Sequence, residues 1–152
     1  ILPGNGRRIV RALEVIELTG SFVAHLPKLK YHVQGVVQIG LDLDRDTLDE
    51  RIGQRVQAMW DAGFVNEVRR LVPQGIREGK TASLALGYRQ VLAFLDGDIS
   101  EAEAMAQTVQ QTKRFARKQL GWYRRDNRIQ WVPALAPSLL ERVVGSVSPV
   151  LD

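Results

Sequence analysis

A single strongly apolar strand pattern among helical patterns limits the folds that this chain can adopt. Residues 36–43 carry apolar side chains on both faces of an extended segment. One face presents Val37, Ile39, Leu41 and Leu43, and Val36 lies on the other. This pattern is typical of a largely buried strand, because such a strand must be apolar on both sides.

A short alternation around Ile129 and Trp131 is the second strand pattern in the sequence. Two such strands do not make a complete sheet, since buried strands of the parallel type need hydrogen-bonded neighbours on both sides. We therefore expect an α/β fold that is mostly helical over these residues, with an incomplete sheet. The further strands are expected from residues outside this sequence.

Helical spacing of apolar residues accounts for most of the remaining sequence. The predicted helices cover residues 6–18, 47–62, 64–72 and 84–95, followed by a long helix that opens at residue 100 and a last helix over 138–144. The breaks between them fall at Gly20, Gly63, Pro73 and Gly97. Asn5 is expected to cap the first helix, and capping boxes of Thr47 with Glu50 and of Ser100 with Glu103 are expected to open the second and the long helix.

The composition excludes several classes of site. The 152 residues contain no cysteine, so disulfides, thiolate nucleophiles and zinc–thiolate centres are excluded. No apolar run reaches the roughly 20 residues of a membrane span, and no signal-peptide pattern opens the sequence. The formal net charge of +4 favours anionic partners without identifying one.

Residues 112–126 concentrate positive charge and aromatic rings in one predicted helix. The cations are Lys113, Arg114, Arg117, Lys118, Arg124 and Arg125, and the rings are Phe115, Trp122 and Tyr123. Cations neutralise phosphates and rings stack on splayed bases, so this composition indicates RNA binding. Asp126 is the only acid from Lys113 to Arg128, whereas a solvated helix face normally mixes charges. The alternative is a solvated basic face, with Phe115 and Trp122 in the core.

Two other segments favour contact with an anion or a nucleotide. Arg7, Arg8 and Arg11 have the helical spacing to face one phosphate, and a solvated first turn is the alternative. Residues 85–90 read ALGYRQ, and Gly87 within a predicted helix costs about 1 kcal/mol relative to alanine. A close approach of backbone or nucleotide would explain that glycine, and simple packing is the alternative.

Three further patterns fail as sites. Residues 75–81 read GIREGKT, with three residues between the glycines where a phosphate-binding loop has four, and a helix precedes them. Asp42, Asp44 and Asp46 open like a calcium loop, but its sixth and twelfth positions lack the glycine and the glutamate. His25 and His32 lie in a polar loop without a partner acid or a third ligand.

Four segments, taken in order, resemble the C-terminal half of the bacterial tRNA dimethylallyltransferases. They read RRIVRALEVIELTG at residues 7–20, LDERIGQRVQAMWDAGFVNEVRRL at 48–71, ALGYRQ at 85–90 and RFARKQLGWYRR at 114–125. Their order and spacing both fit, and the likeness covers nearly the whole chain. The resemblance implies transfer of a dimethylallyl group from its diphosphate to the exocyclic amine of the adenine 3′ of the anticodon.

The resemblance also implies a fold, partners and a location. It implies a P-loop-type α/β core with a helical insertion, in which residues 1–32 end the insertion and residues 33–152 form the C-terminal part of the core. The implied partners are the tRNA anticodon stem-loop and dimethylallyl diphosphate, with Mg²⁺ held by the diphosphate and the N-terminal half. We expect a cytoplasmic monomer without membrane contact.

By position, the resemblance implies three groups of tRNA-contacting residues. These are Arg7, Arg8, Ile9, Val10 and Arg11; Leu84, Ala85, Leu86, Gly87, Tyr88 and Arg89; and Arg117, Lys118, Gln119, Leu120, Gly121, Trp122, Tyr123 and Arg124. Arg8 and Arg11 would also bind the diphosphate. The family usually has arginine, threonine and phenylalanine where this sequence has Leu84, Gly121 and Tyr123, so contacts at these three positions are expected to differ.

The catalytic groups of the family lie in the half that this sequence does not resemble. The P-loop, the catalytic aspartate and the channel threonine have no counterpart here, so we assign no catalytic or metal-binding residue. We expect these 152 residues alone to transfer no prenyl group. The alternative function is a stand-alone helical RNA-binding module without catalysis.

Overall fold

The computed structural model describes residues 3–22 and 31–147, which fall into two units, Ile1–Gln34 and Gly35–Asp152. His25 lies outside the described residues, and His32 is exposed. The assignment of residues 1–32 to an insertion domain and of residues 33–152 to a core stays a prediction.

The first unit contains helix α1 (Gly6–Thr19). Its N-terminus is capped as predicted, because the Asn5 side chain accepts a hydrogen bond from the backbone N–H of Arg8 at 3.2 Å. Gly20 ends the helix in the left-handed conformation, which glycine adopts without strain. The first predicted helix is therefore confirmed, and it extends one residue beyond residue 18.

The second unit is mostly helical, as predicted, and contains a small sheet. Its helices are α2 (Arg45–Asp61), α3 (Phe64–Leu71), α4 (Tyr88–Leu95), α5 (Glu101–Tyr123) and α6 (Leu139–Val147). Its strands are β1 (Gln38–Asp42) and β2 (Ile129–Pro133). Single turns of 3-10 helix cover Val72–Gln74, Ile76–Glu78 and Ala82–Leu84.

The two strands form a parallel pair in which Gly40 lies opposite Trp131. Glycine is needed there, because a Cβ atom on residue 40 would lie 2.6 Å from the Trp131 ring. Both strands coincide with the predicted strand patterns. β1 is only half-buried, and Leu41 is exposed, because among the described residues β2 is its one hydrogen-bonded neighbour. The described part of the chain thus leaves β1 less buried than its apolar pattern predicts.

The start of α2 differs from the prediction. The side chain of Asp44 caps the helix by accepting a hydrogen bond from the backbone N–H of Thr47 at 2.9 Å. This bond holds the pKa of Asp44 below its ordinary value. The predicted capping box of Thr47 and Glu50 is therefore wrong, since aspartate is an equally good cap and stands three residues earlier.

The helix predicted over residues 84–95 is also shorter than expected. Ala82–Leu84 forms a separate 3-10 turn, and α4 begins only at Tyr88. Gly87 stands before that helix with φ of 90°, a left-handed conformation that no helix interior contains. Gly87 therefore separates the residues that follow the 3-10 turn from α4. The helical spacing of apolar residues does not reveal this break.

The predicted opening of α5 is confirmed. The backbone N–H of Ser100 donates to the Glu103 carboxylate at 2.7 Å, and the backbone N–H of Glu103 donates to the Ser100 hydroxyl at 3.2 Å. These reciprocal bonds make the capping box. The carboxylate of Glu103 accepts bonds from the backbone N–H and the hydroxyl of Ser100, and these hold the pKa of Glu103 below its ordinary value.

One hydrophobic core joins α2, α3, α4 and α5. Its buried residues are Val56, Trp60, Phe64, Val68, Ile76, Val91, Leu92 and Ala104. The Phe64 ring contacts Trp60 and Tyr88 edge to face, with centroid distances of 5.4 and 5.2 Å. This packing fixes the start of α4 against the neighbouring helices.

Candidate nucleic-acid interface

The basic stretch lies at the C-terminal half of α5, and part of its charge is neutralised by carboxylates from other elements. Asp49 of α2 lies 3.6 Å from the Lys113 ammonium and 3.7 Å from the Arg117 guanidinium. Asp42, at the end of β1, lies 3.2 Å from the Arg124 guanidinium. We call Lys113, Arg117 and Arg124 the paired cations. They share one side of α5 because their spacing is close to whole helical turns.

Arg114 and Lys118 lie four residues apart on the next side of the same helix. Both are exposed, and neither has an ion pair with another described residue. We call these two residues the free cations. Because nothing competes for their charge, they are better placed than the paired cations to bind phosphate.

Three aromatic residues of α5 are exposed, of which Tyr123, at 48%, also borders the cleft described below. The side chains of Phe115 and Trp122 are 56% and 63% exposed. Within the described residues these two side chains lie outside the core, where α5 buries Ala104 and Thr108 instead. Exposed rings beside cations can stack on nucleobases, which a core position would prevent. We call Phe115 and Trp122 the aromatic stripe.

Three further predicted residues of α5, Gln119, Leu120 and Tyr123, border a cleft between this helix and the sheet. The cleft has a volume of about 550 Å³. Its walls include Gln119, Leu120 and Tyr123 from the helix and Ile39, Leu41 and Trp131 from the strands. Gly121 has open space around the position that a Cβ would occupy, so nothing within the described residues requires glycine there.

The second predicted group, residues 84–89, joins the 3-10 turn to the first turn of α4. We call it the 84–89 segment. Leu84, Ala85, Leu86 and Arg89 are exposed to different degrees, whereas Gly87 is buried. The segment therefore presents two leucines and one arginine to solvent.

Gly87 is a packing glycine in this structure. A Cβ atom on residue 87 would lie 3.0 Å from two carbons of the Phe64 ring. Its backbone N–H donates a buried hydrogen bond of 2.9 Å to the Gln90 side chain. Among the described residues it is the side chain of Phe64 that approaches Gly87, so simple packing, the alternative interpretation, is what the structure shows.

Tyr88 faces inward from the same segment. Its hydroxyl donates a hydrogen bond of 2.5 Å to the carboxylate of Glu67 on α3. This bond, together with burial and the nearby negative charge, raises the pKa of Tyr88. Tyr88 therefore contacts protein through its hydroxyl, and its ring packs on Phe64.

Gly87 of the 84–89 segment packs against the line of α5 that also carries the aromatic stripe. The position of a Cβ on Gly87 is 3.8 Å from the Thr108 methyl. Thr108, Phe115 and Trp122 are spaced by seven residues, close to two helical turns, so they follow one line along the helix. Thr108 and Phe115 are separated by about 10 Å along the axis. The second predicted group thus meets α5 at the buried Thr108, on the line of the helix that carries Phe115 and Trp122 further along.

The first predicted group lies on α1 and is described within its own unit. Arg7, Arg8 and Val10 are exposed, and Ile9 is half-buried. The Arg11 guanidinium lies 3.2 Å from the Glu14 carboxylate, and both side chains are largely exposed. Arg7 and Arg8 have no ion pair with another described residue.

The patterns rejected as sites have structural roles. Asp42 pairs with Arg124, and Asp44 caps α2. Arg77, within residues 75–81, binds both carboxylate oxygens of Asp96 at 2.8 and 2.7 Å. Among residues 3–22 and 31–147, no three His, Asp or Glu side chains cluster closely enough to hold a metal ion.

Sequence reasoning missed three acids that shape this surface. Asp49 and Asp42 pair with cations of α5, and Glu67 binds Tyr88. These partners are far apart in the sequence, so no local spacing connects them.

In the described helices, no segment is both long enough and apolar enough to cross a membrane.

A family model described as IPP transferase matches residues 1–126. The tRNA dimethylallyltransferase of Cutibacterium acnes is 61% identical over 151 residues, which cover 99% of this chain and 47% of that protein. The enzyme of the same name from Frankia casuarinae is 58% identical, over 97% of this chain and 50% of that protein. This chain therefore spans about half the length of the curated relatives that it matches.

Solved structures agree with these matches. The full-length tRNA isopentenylpyrophosphate transferase of Bacillus halodurans superposes with a TM-score of 0.72 at 31% identity, over 99% of this chain and 48% of that one. The tRNA delta(2)-isopentenylpyrophosphate transferase of Staphylococcus epidermidis gives a TM-score of 0.71 at 27% identity, over 98% of this chain and 50% of that one. With a family match over residues 1–126, this chain belongs to the IPP transferase family, as its resemblance to the C-terminal half predicts.

Proposed function

We propose that these residues are the RNA-binding half of a tRNA dimethylallyltransferase. In this proposal, the whole enzyme transfers a dimethylallyl group from its diphosphate to the exocyclic amine of the adenine 3′ of the anticodon. The names of the relatives support the reaction, and the surface of α5 supports the RNA-binding role of this half.

The single observation that carries the RNA-binding role is the arrangement of Lys118 and Trp122 on α5. An exposed cation without an ion pair to any described residue lies one helical turn from an exposed indole ring. The first suits a phosphate and the second suits an unstacked base. The ring and the cation together, on adjacent turns of one helix, are what support contact with RNA.

The two groups on α5 and the 84–89 segment have complementary tasks in this proposal. An enzyme that modifies a base must take that base out of its stack, which costs a few kcal/mol. Stacking on Trp122, apolar contact with Leu84 or Leu86 and phosphate contact with Lys118 offset that cost. Gln119, at the border of the cleft, supplies hydrogen-bonding groups for a base edge.

Arg8 and Arg11 have a different task in the proposal. Negative charge develops on the diphosphate as it leaves the allylic carbon, and guanidinium groups stabilise such charge. The Glu14 contact does not prevent this role for Arg11, because ion pairs between exposed side chains are weak and exchange readily.

The chemistry that these residues do not supply is assigned to the rest of the enzyme. The proposed core is of the P-loop type, with Mg²⁺ bound by the diphosphate and by residues outside this sequence. No proton acceptor is assigned within the described residues, so these 152 residues alone are expected to transfer nothing. The proposed enzyme acts as a cytoplasmic monomer.

Two measurements test the proposal. The first is binding of this chain to an anticodon stem-loop RNA across a range of salt concentrations, with duplex DNA of equal charge as the control. The second replaces the matching half of the Cutibacterium acnes relative by this chain and assays the chimera with tRNA, Mg²⁺ and dimethylallyl diphosphate. Mass analysis of the anticodon loop reads the product.

The outcomes separate the proposal from its alternative. Salt-dependent stem-loop binding with an active chimera supports the proposal. Binding by this chain with a folded but inactive chimera would favour a stand-alone RNA-binding module. A chain that binds the stem-loop no better than the duplex DNA would overturn the RNA-binding role.

A further inference from the structure

The 84–89 segment divides into side chains that face solvent and side chains that hold the segment in place. Leu84 and Leu86 are exposed, and Arg89 is at least partly open to solvent. Gly87 and Tyr88 turn toward Phe64, against which both pack. The outer residues of such a segment are in position to contact a partner only if the inner residues hold the segment in place.

Little regular structure restrains the exposed part of this segment. Leu84 ends a single 3-10 turn, Ala85 is extended, and α4 starts only at Tyr88. Ordering a free backbone residue on binding costs conformational entropy. Contacts that fix the segment beforehand therefore raise affinity without touching the ligand.

Two separate contacts fix the inner side of the segment. The first is the pair formed by the Gly87 N–H and the Gln90 side chain, at 2.9 Å, and it lies within the segment's own helix start. The second is the bond of 2.5 Å from the Tyr88 hydroxyl to Glu67, which joins two different helices over 21 residues of sequence. Of these two hydrogen bonds, only the second joins the segment to α3, where the Phe64 ring also packs on Gly87 and Tyr88.

Glu67 is well suited to hold this bond. It lies in the first turn of α3, where the helix dipole stabilises a negative charge. The Glu67 side chain is half-buried and makes no ion pair with another described residue. Among the described side chains, only that of Tyr88 forms a hydrogen bond with it. A hydrogen bond to a charged acceptor is stronger than a neutral one.

We propose that Glu67 is a positioning residue for RNA binding, which acts through Tyr88 to hold the 84–89 segment in its binding conformation. This role rests on the proposed function, because the partner of the segment is the anticodon stem-loop. Neither Glu67 nor the Tyr88 hydroxyl touches the RNA. Arg89 and the exposed leucines make the contact.

A double-mutant cycle in this chain tests the role. Tyr88→Phe removes the hydroxyl and keeps the ring on Phe64, and Glu67→Ala removes the acceptor. Each variant is expected to bind the stem-loop about 3- to 10-fold more weakly than the wild type, the range of one missing hydrogen bond. The double variant is expected to bind no more weakly than either single variant, because one bond is removed in all three.

Two readouts distinguish positioning from direct contact and from general stability. Glu67→Gln keeps a neutral oxygen acceptor and is expected to bind more tightly than Glu67→Ala but more weakly than the wild type, since the charge of the acceptor is lost. The slope of log affinity against log salt is expected to stay unchanged in every variant, because each variant keeps all the cations that bind phosphate.

Asp96→Asn is the matched control. This substitution weakens a different side-chain contact of the same region, in which Arg77 donates to both carboxylate oxygens of Asp96 at the C-terminal end of α4. That variant is expected to lower the melting temperature and leave RNA affinity unchanged. All affinities are measured well below the melting temperature of the least stable variant.

The failures are distinguishable. A wild-type chain without salt-dependent stem-loop binding would overturn the proposed function itself. If the wild type binds and Tyr88→Phe and Glu67→Ala bind equally well, only the positioning role is overturned. Additive losses in the double variant, or no recovery with Glu67→Gln, would overturn it as well.

Discussion

The carboxylate of Asp49 lies 3.7 Å from the guanidinium of Arg117, so α2 neutralises part of the charge that α5 carries. The same carboxylate is 3.6 Å from the Lys113 ammonium. In the proposed complex, phosphates must compete with Asp49 for these two cations. Asp49 is therefore expected to weaken RNA binding in the native protein.

Asp49→Asn is expected to strengthen stem-loop binding by roughly 2- to 5-fold, the range expected from weak, partly exposed ion pairs. The salt dependence of binding is expected to become steeper, since more cations are available to phosphate. Asp61→Asn is the matched control: Asp61 ends the same helix, bonds to the Gln57 amide at 2.9 Å and makes no ion pair with the described residues of α5. Equal gains in both variants would mean that net charge alone is responsible.

The features of the fold that the sequence predicts are those set by nearby residues. The Asn5 cap and the reciprocal bonds of Ser100 with Glu103 each span three residues, and both are found as predicted. The two strands also coincide with their apolar patterns. Local hydrogen bonding and periodicity carry enough information for these features.

The features that the sequence does not predict depend on contacts over long sequence separations. Asp42 and Arg124 are 82 residues apart, and Glu67 and Tyr88 are 21 apart. The acid-poor stretch of α5 indicates a fully free basic face, because the pairing acids lie on other elements. Trp122 is open to two interpretations for the same reason, since apolar spacing does not tell whether a ring has a neighbour.

Lys118→Ala tests the free cations. The substitution is expected to weaken binding of many tRNAs alike, because phosphate contacts are independent of sequence. The salt slope is expected to fall by roughly 0.7–0.9 for the one phosphate that Lys118 would neutralise. Arg55→Ala, an exposed arginine on α2 that makes no ion pair within the described residues, is the control and should change neither quantity. If Lys118→Ala matches that control, the basic face of α5 is only solvated.

Trp122→Ala tests the aromatic stripe. Because the ring is exposed, its loss is expected to cost about 1–3 kcal/mol of RNA binding. The melting temperature should change little. Trp60→Ala, which removes a buried ring of the core, should instead cost about 3–5 kcal/mol of stability. A large drop in the stability of Trp122→Ala would contradict its exposed position.

Gly87→Ala tests the packing role of this glycine. A side chain at φ of 90° costs about 1–2 kcal/mol in backbone strain, and its Cβ would also press on the Phe64 ring. Unfolding by urea should therefore show a destabilised variant. Gly53→Ala is the matched control, since Gly53 lies inside α2 with open space at its Cβ position. That change should stabilise the protein by about 0.5–1 kcal/mol.

The pH dependence of stability tests the bond between Tyr88 and Glu67. This bond raises the pKa of Tyr88 above its ordinary value of 10.0, so the folded protein holds the hydroxyl proton more tightly than the unfolded chain does. The resulting stabilisation is fully present below pH 10 and is lost as the pH rises through the folded pKa, where the phenolate faces the negative carboxylate. The free energy of unfolding, measured with urea from pH 8 to about 11.5, should therefore fall more steeply for the wild type than for Tyr88→Phe. Parallel curves for the two proteins would show that the hydroxyl proton is not held by Glu67 in solution.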